Sequence, residues 1–358
     1  MNQEIDLNKV LSEFNIDHNL NVYGNGHIND TYCSNPEGYI LQRINTSIFT
    51  DPDALMENIE NVTSFIGKKI AAAGGDPERE TLTVVRTSKG DNCYKYDSNN
   101  VFRVYKFIKD TKTVEDDKTL TDLYNAGKGF GRFQCMLDDF PVEKLHETIK
   151  DFHNTPKRVD ALKEAIAADR AGRAKSVRPE IEFALENAVF ADTVVNGISS
   201  GEIPLRVTHN DTKINNILFD CESGEAVAVI DLDTVMPGSM LYDFGDALRM
   251  GGSTAAEDET NLDIVHFDSE AFKFFADGYL SETLSVLKEK EIELLPFSAK
   301  LLTYECGIRF LTDYLNGDTY FKIHREHHNL DRCRNQFKLV KEITEQEDKL
   351  LAIVNELI

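Results

Sequence analysis

The alternation of hydrophobic and polar residues divides this 358-residue chain into a strand-rich beginning and a longer, mostly helical remainder. A short helix followed by strands is expected in the first 50 residues, with one strand over Gly38–Ile44. Residues 82–87 and 101–108 alternate in the manner of hairpin strands, and turn-forming residues separate them. After residue 108 the spacing becomes helical, which predicts a domain boundary there.

A long helix is predicted to begin at Asp51. Asp is a good N-cap residue, and Pro52 follows at the first helical position, where its missing N–H costs nothing. Gly74-Gly75 ends the region. The apolar residues between these signals recur at helical spacing: Leu55, Ile59, Val62 and Ile66.

The second part of the chain carries further helical patterns. Leu295–Leu315 is apolar almost all round, which predicts a buried helix. Asp243 and Asp246 are expected to open another helix, as N-cap and first-turn acids that could also hold the loop containing Asp211. The other predicted helical segments are Phe130–Leu137, Leu145–Phe152, Ala161–Lys175 and a terminal helix within residues 330–358.

Composition narrows the class of partner. The net charge of −23, from 39 Lys and Arg against 62 Asp and Glu, argues against nucleic acid and against an anionic membrane surface. No apolar run approaches the roughly 20 residues that a membrane span needs. Six cysteines are scattered without a C-x-x-C pair, which is typical of free thiols in a reducing compartment. We therefore expect a cytoplasmic protein.

One motif carries chemistry. His209, Asp211 and Asn216 spell His-x-Asp-x-x-x-x-Asn, the spacing of the catalytic loop in protein-kinase-type phosphotransferases. In that setting Asp211 would orient a hydroxyl group and accept its proton, and the amide oxygen of Asn216 would hold Mg²⁺. His209 is expected to brace the loop. Lys213 would either neutralise the transferred phosphoryl group or be a surface lysine.

An acidic pair follows the motif. Residues 226–234 form a β-prone run in which Asp231 and Asp233 should share one face, because side chains alternate along a strand. Burying two carboxylates together without a cation is costly. We expect Asp231 to be a Mg²⁺ ligand and Asp233 to be a second ligand or an organiser of the loop. The motif and the acidic pair together predict an ATP-dependent kinase of a small molecule.

Residues that contact the nucleotide are sought near the beginning of the chain. Gly24 and Gly26 allow a tight turn that either approaches a phosphate group or simply closes a hairpin. On the strand Gly38–Ile44, only one of Gln42 and Arg43 can face the nucleotide, and Arg43 could instead face solvent.

The helix that begins at Asp51 should supply the Glu that pairs with the cation of this strand. Glu60 is preferred for this role, with Glu57 as the alternative. Either residue could also be an ordinary surface carboxylate.

Arg309 lies in the middle of the predicted buried helix, although Arg is almost never fully buried unless it is paired. It either forms a salt bridge with Asp313 or lines a substrate cleft together with Tyr320. An arginine in that cleft would disfavour polycationic aminoglycosides and suit a neutral sugar.

The chain resembles the aminoglycoside-phosphotransferase and choline-kinase superfamily, and within it the N-acetylhexosamine 1-kinases. The segments that carry the resemblance include Tyr23-Gly-Asn-Gly-His-Ile-Asn, Arg206-Val-Thr-His-Asn-Asp-Thr-Lys, Ile230-Asp-Leu-Asp-Thr-Val-Met-Pro-Gly-Ser-Met and Glu305-Cys-Gly-Ile-Arg-Phe-Leu-Thr-Asp-Tyr-Leu. The strand with Gln42 and Arg43 departs from the pattern, because many relatives carry a Lys there.

The resemblance implies a bilobal, protein-kinase-like α+β fold. Residues 1–108 would form a small antiparallel-sheet N-lobe that binds the nucleotide, and residues 109–358 a larger, mainly helical C-lobe with the catalytic and substrate-binding groups. It also implies ATP and Mg²⁺ as cofactors, the anomeric hydroxyl of N-acetylglucosamine or N-acetylgalactosamine as acceptor, and His27 as a substrate contact beside Arg309 and Tyr320. The alternatives are a kinase of an aminoglycoside, choline or homoserine, and a nucleotide-binding module without turnover.

Overall fold

The computed structural model describes residues 5–24, 28–115 and 117–358. They form two compact units. The first, which we call the sheet unit, comprises Met1–Thr113, Asp139–Lys150 and Ile217–Pro237, and the second, the helical unit, comprises Val114–Asp138, Asp151–Asn216 and Gly238–Ile358. The assignment of the nucleotide-binding role to residues 1–108 and of the catalytic role to residues 109–358 stays a prediction.

The strands are short and antiparallel where they pair within the sheet unit. In chain order they are β1 (Asn19–Val22), β2 (Asp30–Asn35), β3 (Tyr39–Ile44), β4 (Val84–Val85), β5 (Tyr94–Lys95), β6 (Val101–Lys106), β7 (Thr111–Lys112), β8 (Arg206–Thr208), β9 (Ile217–Asp220), β10 (Ala226–Val229) and β11 (Met236–Gly238).

The described residues form α-helices in both units, and most of these helices lie in the helical unit. In chain order they are α1 (Leu7–Glu13), α2 (Pro52–Ala72), α3 (Pro77–Glu80), α4 (Leu120–Met136), α5 (Thr155–Ala168), α6 (Arg178–Glu186), α7 (Thr193–Ser200), α8 (Met240–Gly251), α9 (Ser269–Thr283), α10 (Glu289–Glu293), α11 (Leu295–Asn316), α12 (His328–Glu345) and α13 (Glu347–Leu357).

The main sheet of the sheet unit has the order β1-β2-β3-β6-β4, and β5 also pairs with β6. The predicted strand at Gly38–Ile44 is confirmed as β3, and the strand predicted over residues 101–108 is confirmed as β6. Helix α1 covers the sheet by packing Val10, Leu11 and Phe14 against residues of β3 and β6. Burial of these apolar side chains is the main favourable contribution to the stability of this unit.

Helix α2 begins where the sequence predicts. The Asp51 side chain accepts a hydrogen bond from the Ala54 N–H at 3.1 Å, and Pro52 is the first helical residue. One N–H group that would otherwise lack a partner is thereby satisfied. The predicted apolar stripe, Leu55, Ile59, Val62 and Ile66, is buried.

In the helical unit, α4 and α9 approach each other at two glycines. A Cβ atom on Gly127 would lie 2.2 Å from the Phe275 carbonyl oxygen, and one on Gly278 would lie 2.0 Å from the Tyr124 carbonyl oxygen. These distances are far below van der Waals contact. The two helices can therefore pack this closely only because neither position carries a side chain.

The predicted buried helix is confirmed as α11, which packs against α5, α8 and α12. The terminal segment forms two helices, α12 and α13, and not one. The helix predicted over Ala161–Lys175 is α5, which begins earlier and ends at Ala168, because Asp169 has a left-handed backbone conformation with φ 38°. No helix in the described part of the chain is long and apolar enough to cross a membrane.

The helix predicted over Leu145–Phe152 is wrong, since this stretch forms turns. The buried side chain of Asn58 accepts a hydrogen bond from the His146 N–H and donates one to the His146 carbonyl oxygen, both at 2.8 Å. The backbone groups of His146 are therefore satisfied by a distant side chain and not by a helical repeat.

Candidate active site

The loop that carries the catalytic motif is held by two carboxylates of α8. Asp243 accepts hydrogen bonds from the N–H groups of His209 and Asn210, at 2.9 and 2.7 Å. Asp246 accepts one from the Thr212 N–H at 3.0 Å. These bonds fix the backbone on both sides of residue 211, so the orientation of that side chain is set by α8.

The predicted N-cap role of Asp243 is wrong. Ser239 caps α8 through a hydrogen bond to the Leu241 N–H, and Asp243 lies in the first turn, where its carboxylate serves the loop. Burial raises the pKa of Asp243. The hydrogen bonds that its carboxylate accepts from the backbone N–H groups of His209 and Asn210 oppose this rise.

Asp211 and Lys213 form an ion pair, with 2.9 Å between Asp211 Oδ1 and Lys213 Nζ. Partial burial alone would raise the pKa of Asp211, but the positive charge of Lys213 outweighs it, and the pKa lies below the ordinary value for an aspartate. Asp211 is therefore an ionised hydrogen-bond acceptor at neutral pH. This is the state that a proton acceptor for a hydroxyl group requires.

His209 is completely buried and lies against the edges of two aromatic rings, those of Phe130 and Phe133, at centroid distances of 5.9 and 6.0 Å. Its Nδ1 accepts a hydrogen bond from the Asp211 N–H at 3.2 Å. The geometry agrees with a bracing role, and the catalytic assignment of His209 stays a prediction.

Asn216 lies in a short 3₁₀ turn within the same unit. Its side-chain nitrogen donates to the Asp211 carbonyl oxygen at 2.8 Å. Its Oδ1 atom receives no hydrogen bond from the described residues and has the hard, neutral oxygen character that Mg²⁺ accepts. Asn216 therefore fits the predicted role of metal ligand.

A buried His–Glu pair contacts the loop from the other side. His153 Nδ1 lies 2.8 Å from Glu305 Oε1, and His153 Nε2 lies 3.3 Å from the Asn210 carbonyl oxygen. Thr155 donates to the second oxygen of Glu305 at 2.6 Å. Although burial opposes ionisation, His153 holds the pKa of Glu305 below its ordinary value. The sequence analysis assigned no functional role to His153. The acidic residue Glu305 within the apolar helix α11 was the feature that indicated a buried partner such as His153.

In the sheet unit, Asp231 does not share a strand face with Asp233, and this expectation is wrong. Strand β10 ends at Val229, and Asp231 has a left-handed backbone conformation with φ 58° and ψ 57°. The period of two therefore does not apply, and Asp231 is exposed whereas Asp233 is buried. An exposed carboxylate is compatible with the predicted Mg²⁺ ligand, although no group of three His, Cys, Asp or Glu in the described chain could hold a metal alone.

The buried cation of the sheet unit is Arg103, which the sequence analysis missed. Arg103 forms an ion pair with Asp233, which also accepts a hydrogen bond from Asn29 at 2.6 Å. Gln42 lies opposite Arg103 in the β3–β6 register, and its Oε1 accepts from Arg103 Nε at 2.9 Å. The one feature of the sequence that indicated a buried cation here is the position of Arg103 among the apolar residues of β6.

Of the two adjacent candidates on β3, Gln42 thus faces this buried cluster. Arg43 forms an ion pair with Asp30 and donates to Asn100, and its side chain is 40% exposed. Whether Gln42 or Arg43 contacts the nucleotide stays a prediction.

The expected pair between Glu60 and the strand cation is not formed. Glu60 pairs with Arg86 and accepts from Asn92 at 3.2 Å, and the alternative, Glu57, lies 2.9 Å from His146 Nε2. Helix α2 turns both carboxylates toward the surface, because its buried stripe occupies the side that faces the core.

Gly24 has a left-handed backbone conformation with φ 69° and open space around its Cα. This is compatible with either the phosphate or the hairpin interpretation. The predictions for Gly26 and His27 lie outside the described residues.

Arg309 is not paired with Asp313, so the structural salt bridge is excluded. The Asp313 carboxylate accepts from the N–H groups of Tyr320 and Phe321 at 2.8 and 2.9 Å. Arg309 lies over the rings of Phe152 and Phe321, at 5.6 and 5.5 Å from their centroids, and the ring of Tyr320 packs against that of Phe321 at 4.8 Å. Arg309 and Tyr320 are thus brought together as predicted, while their contact with substrate stays a prediction.

The model of the phosphotransferase enzyme family (APH) matches residues 22–276, more than half of the chain. The chain belongs to this family. Both the loop of Asp211 and the segment of Asp231 lie within the matched residues.

Solved structures of other kinases share the fold. An amicoumacin kinase in complex with AMP-PNP, Ca²⁺ and amicoumacin has a TM-score of 0.58 at 14% identity, covering 91% of this chain and 88% of its own. A microcompartment-associated aminopropanol kinase has a TM-score of 0.58 at 14% identity, covering 96% and 97%. The GDP complex of aminoglycoside 2'-phosphotransferase-IIIa has a TM-score of 0.56 at 14% identity, covering 94% and 97%. The predicted kinase-like fold, with an antiparallel-sheet N-lobe and a helical C-lobe, is confirmed.

Proposed function

We propose that this protein transfers the γ-phosphoryl group of ATP to the anomeric hydroxyl of an N-acetylhexosamine. The products would be ADP and the sugar 1-phosphate. The observation that carries the proposal is the ionised carboxylate of Asp211, paired with Lys213 on a loop that Asp243 and Asp246 hold. Membership of the phosphotransferase family supports the same reaction class.

The chemistry follows from this geometry. The acceptor hydroxyl donates a hydrogen bond to Asp211 and transfers its proton to that carboxylate as the new oxygen–phosphorus bond forms. The bond between the γ-phosphorus and its bridging oxygen breaks, and ADP leaves with the bond electrons. Lys213 keeps Asp211 ionised before the transfer, because protonation of Asp211 would cost the ion pair.

Asn216 and Asp231 are the residues we assign to Mg²⁺. The amide oxygen of Asn216 and the exposed carboxylate of Asp231 are the hard oxygen ligands that this ion prefers. When bound with ATP, Mg²⁺ supplies positive charge that neutralises the phosphate oxygens. Gly24 of the sheet unit, together with either Gln42 or Arg43, remains our candidate for contact with the nucleotide.

The sugar assignment rests on the resemblance of the Thr208–Asn216 and Asp231–Met240 segments and on the surroundings of Arg309. A guanidinium group supplies several hydrogen-bond donors in a fixed plane, which suits a substrate rich in acceptor oxygens. The aromatic rings of Phe152 and Phe321 keep that plane oriented.

A substrate panel tests the proposal. Purified protein with ATP and Mg²⁺ is offered N-acetylglucosamine, N-acetylgalactosamine, kanamycin, choline, homoserine and aminopropanol, and phosphorus NMR locates the phosphate in each product. We expect a sugar 1-phosphate from at least one N-acetylhexosamine. Turnover of another acceptor without turnover of the hexosamines would overturn the substrate, and absence of any ATP-dependent product would overturn the kinase assignment.

A further inference from the structure

Two partly buried arginines of the helical unit have no carboxylate in ion-pair contact among the described residues. Arg158 lies on α5 and Arg309 on α11, and neither has a carboxylate within 4.0 Å among the described residues. Arg158 Nη2 donates to the Phe152 carbonyl oxygen at 2.7 Å, while its Nε–H is buried and has no hydrogen-bond partner in the described protein. The guanidinium group of Arg309 lies over the ring of the same Phe152. Both guanidinium groups therefore contact Phe152.

The surrounding groups compensate the charge of Arg309, whose pKa they raise, but they do not compensate that of Arg158. Glu305 lies near both arginines and Asp151 lies near Arg158, but neither carboxylate is available to them. The two oxygens of Glu305 are engaged by His153 and Thr155, and Asp151 forms an ion pair with Lys157. Burial lowers the pKa of Arg158, and the charge of Arg309 lowers it further, so the two side chains repel each other. Because Arg stays protonated in proteins, Arg158 keeps its positive charge beside a second guanidinium group without a carboxylate in ion-pair contact among the described residues.

This positive charge contrasts with the chain as a whole, which carries a net charge of −23. An unpartnered donor on a half-buried cation is unfavourable unless another group supplies the acceptor. We therefore expect a bound ligand to supply the hydrogen-bond acceptor that the Arg158 Nε–H group lacks in the described protein.

The pair also adjoins the catalytic loop within the same unit. Phe152 directly precedes His153, whose Nε2 lies 3.3 Å from the carbonyl oxygen of Asn210. Asn210 in turn precedes Asp211. His153 therefore links Phe152, which both arginines contact, to the Asp211 loop.

We infer that Arg158 and Arg309 together form a substrate subsite that binds oxygen acceptors of the sugar and rejects acceptors carrying an ammonium group. The inference rests on the proposed function and extends it: Arg158 becomes a second determinant of substrate choice. Neutral hydroxyl and amide oxygens complete the hydrogen bonds of the guanidinium groups, whereas an ammonium group adds a third positive charge and supplies no acceptor.

A matched pair of substrates tests this subsite. N-Acetylglucosamine and glucosamine differ only in the acetyl group on one nitrogen. In the first the nitrogen belongs to a neutral amide with an acceptor oxygen, and in the second it is an ammonium group at pH 6. We expect kcat/KM to favour N-acetylglucosamine in the unchanged protein, and Arg158→Gln to reduce that preference by about tenfold or more. Most of the change should be in the KM of the sugar, while the KM of ATP stays constant. Arg158→Lys, which keeps the charge, should retain most of the preference.

The control is Arg170→Gln, which removes an exposed arginine that has no ion pair among the described residues. Thermal unfolding of each variant shows whether the fold is retained. An unchanged preference in a folded Arg158→Gln variant would overturn the inference. If the unchanged protein turns over neither hexosamine, the proposed function fails separately. The subsite is then judged with the acceptor that the panel identifies, and a preferred ammonium-bearing acceptor would refute it.

Discussion

Arg103 and Asp233 form an ion pair in the interior of the sheet unit, where their side chains are only 1% and 5% exposed. The pair joins β6 to the segment that contains Asp231, and Asn29 and Gln42 complete its hydrogen bonds. With these contacts, Asp233 has the environment of a residue that organises its loop. The ion pair therefore limits the movement of the backbone at Asp233, two residues after Asp231.

Removal of Arg103 should be strongly destabilising. Arg103→Met leaves Asp233 buried without its cation, and we expect a loss of about 3–5 kcal/mol in the free energy of unfolding. Urea denaturation followed by circular dichroism measures this loss. The double variant Arg103→Met with Asp233→Leu should recover part of it, because no unpaired charge is left.

Arg43→Met is the matched control for this prediction. Arg43 lies on the neighbouring strand of the same sheet and pairs with Asp30, but both side chains are more than a third exposed. Its removal should cost about 0–1 kcal/mol. Equal losses for the two variants would show that burial of the Arg103 pair does not control its contribution.

Asp211→Asn should abolish most of the turnover. Asparagine keeps the size of the side chain but is a poor proton acceptor, and the loss of a general base lowers kcat by about 10²- to 10⁴-fold. Steady-state assays of ADP release measure kcat, and calorimetry should show that ATP still binds. Asp277→Asn, a change at an exposed position of α9, should leave kcat unaltered. A kcat within a factor of two of the unchanged protein would exclude Asp211 as the base.

Lys213→Met should change the pH dependence of the reaction. Lys213 holds the pKa of Asp211 below its ordinary value, so Asp211 stays ionised as the pH falls through the usual carboxylate range. Without that charge the pKa of Asp211 rises, and the acidic limb of the kcat/KM profile should move to higher pH. The profile is measured from pH 4 to 8, alongside Lys163→Met, which removes a lysine from an exposed ion pair. If the limb keeps its position in Lys213→Met, the ion pair does not control the ionisation of Asp211.

Gly278→Ala should disturb the contact between α4 and α9. The added Cβ would lie 2.0 Å from the Tyr124 carbonyl oxygen, so the helix backbones must separate. We expect a loss of about 1–3 kcal/mol or more in the free energy of unfolding, measured by denaturation. Gly67→Ala in α2 is the control, since its nearest neighbour is 3.6 Å away, and alanine there should stabilise the helix by about 0.5–1 kcal/mol. A Gly278→Ala variant as stable as Gly67→Ala would contradict the close packing.

The elements that the sequence predicted well are those whose signals are local. The cap at Asp51 and the apolar stripe of α2 lie within a few turns of one another, and the strand at β3 alternates over six residues. The same holds for the spacing of His209, Asp211 and Asn216, because residues of one loop are brought together by the chain itself. Such patterns are set by local backbone geometry and do not depend on which other segments pack against them.

Tertiary contacts decided the remainder. Arg103 and Asp233 are 130 positions apart, and His153 and Glu305 are 152 apart, so no periodicity links either pair. Likewise, no helix forms at His146, because the side chain of Asn58, from another part of the chain, hydrogen-bonds both backbone groups of His146. The sequence by itself predicted the candidate residues for phosphotransfer and most of the helices and strands that carry them. Only the folded structure decided which buried charges neutralise one another, because that depends on contacts between segments distant in the chain.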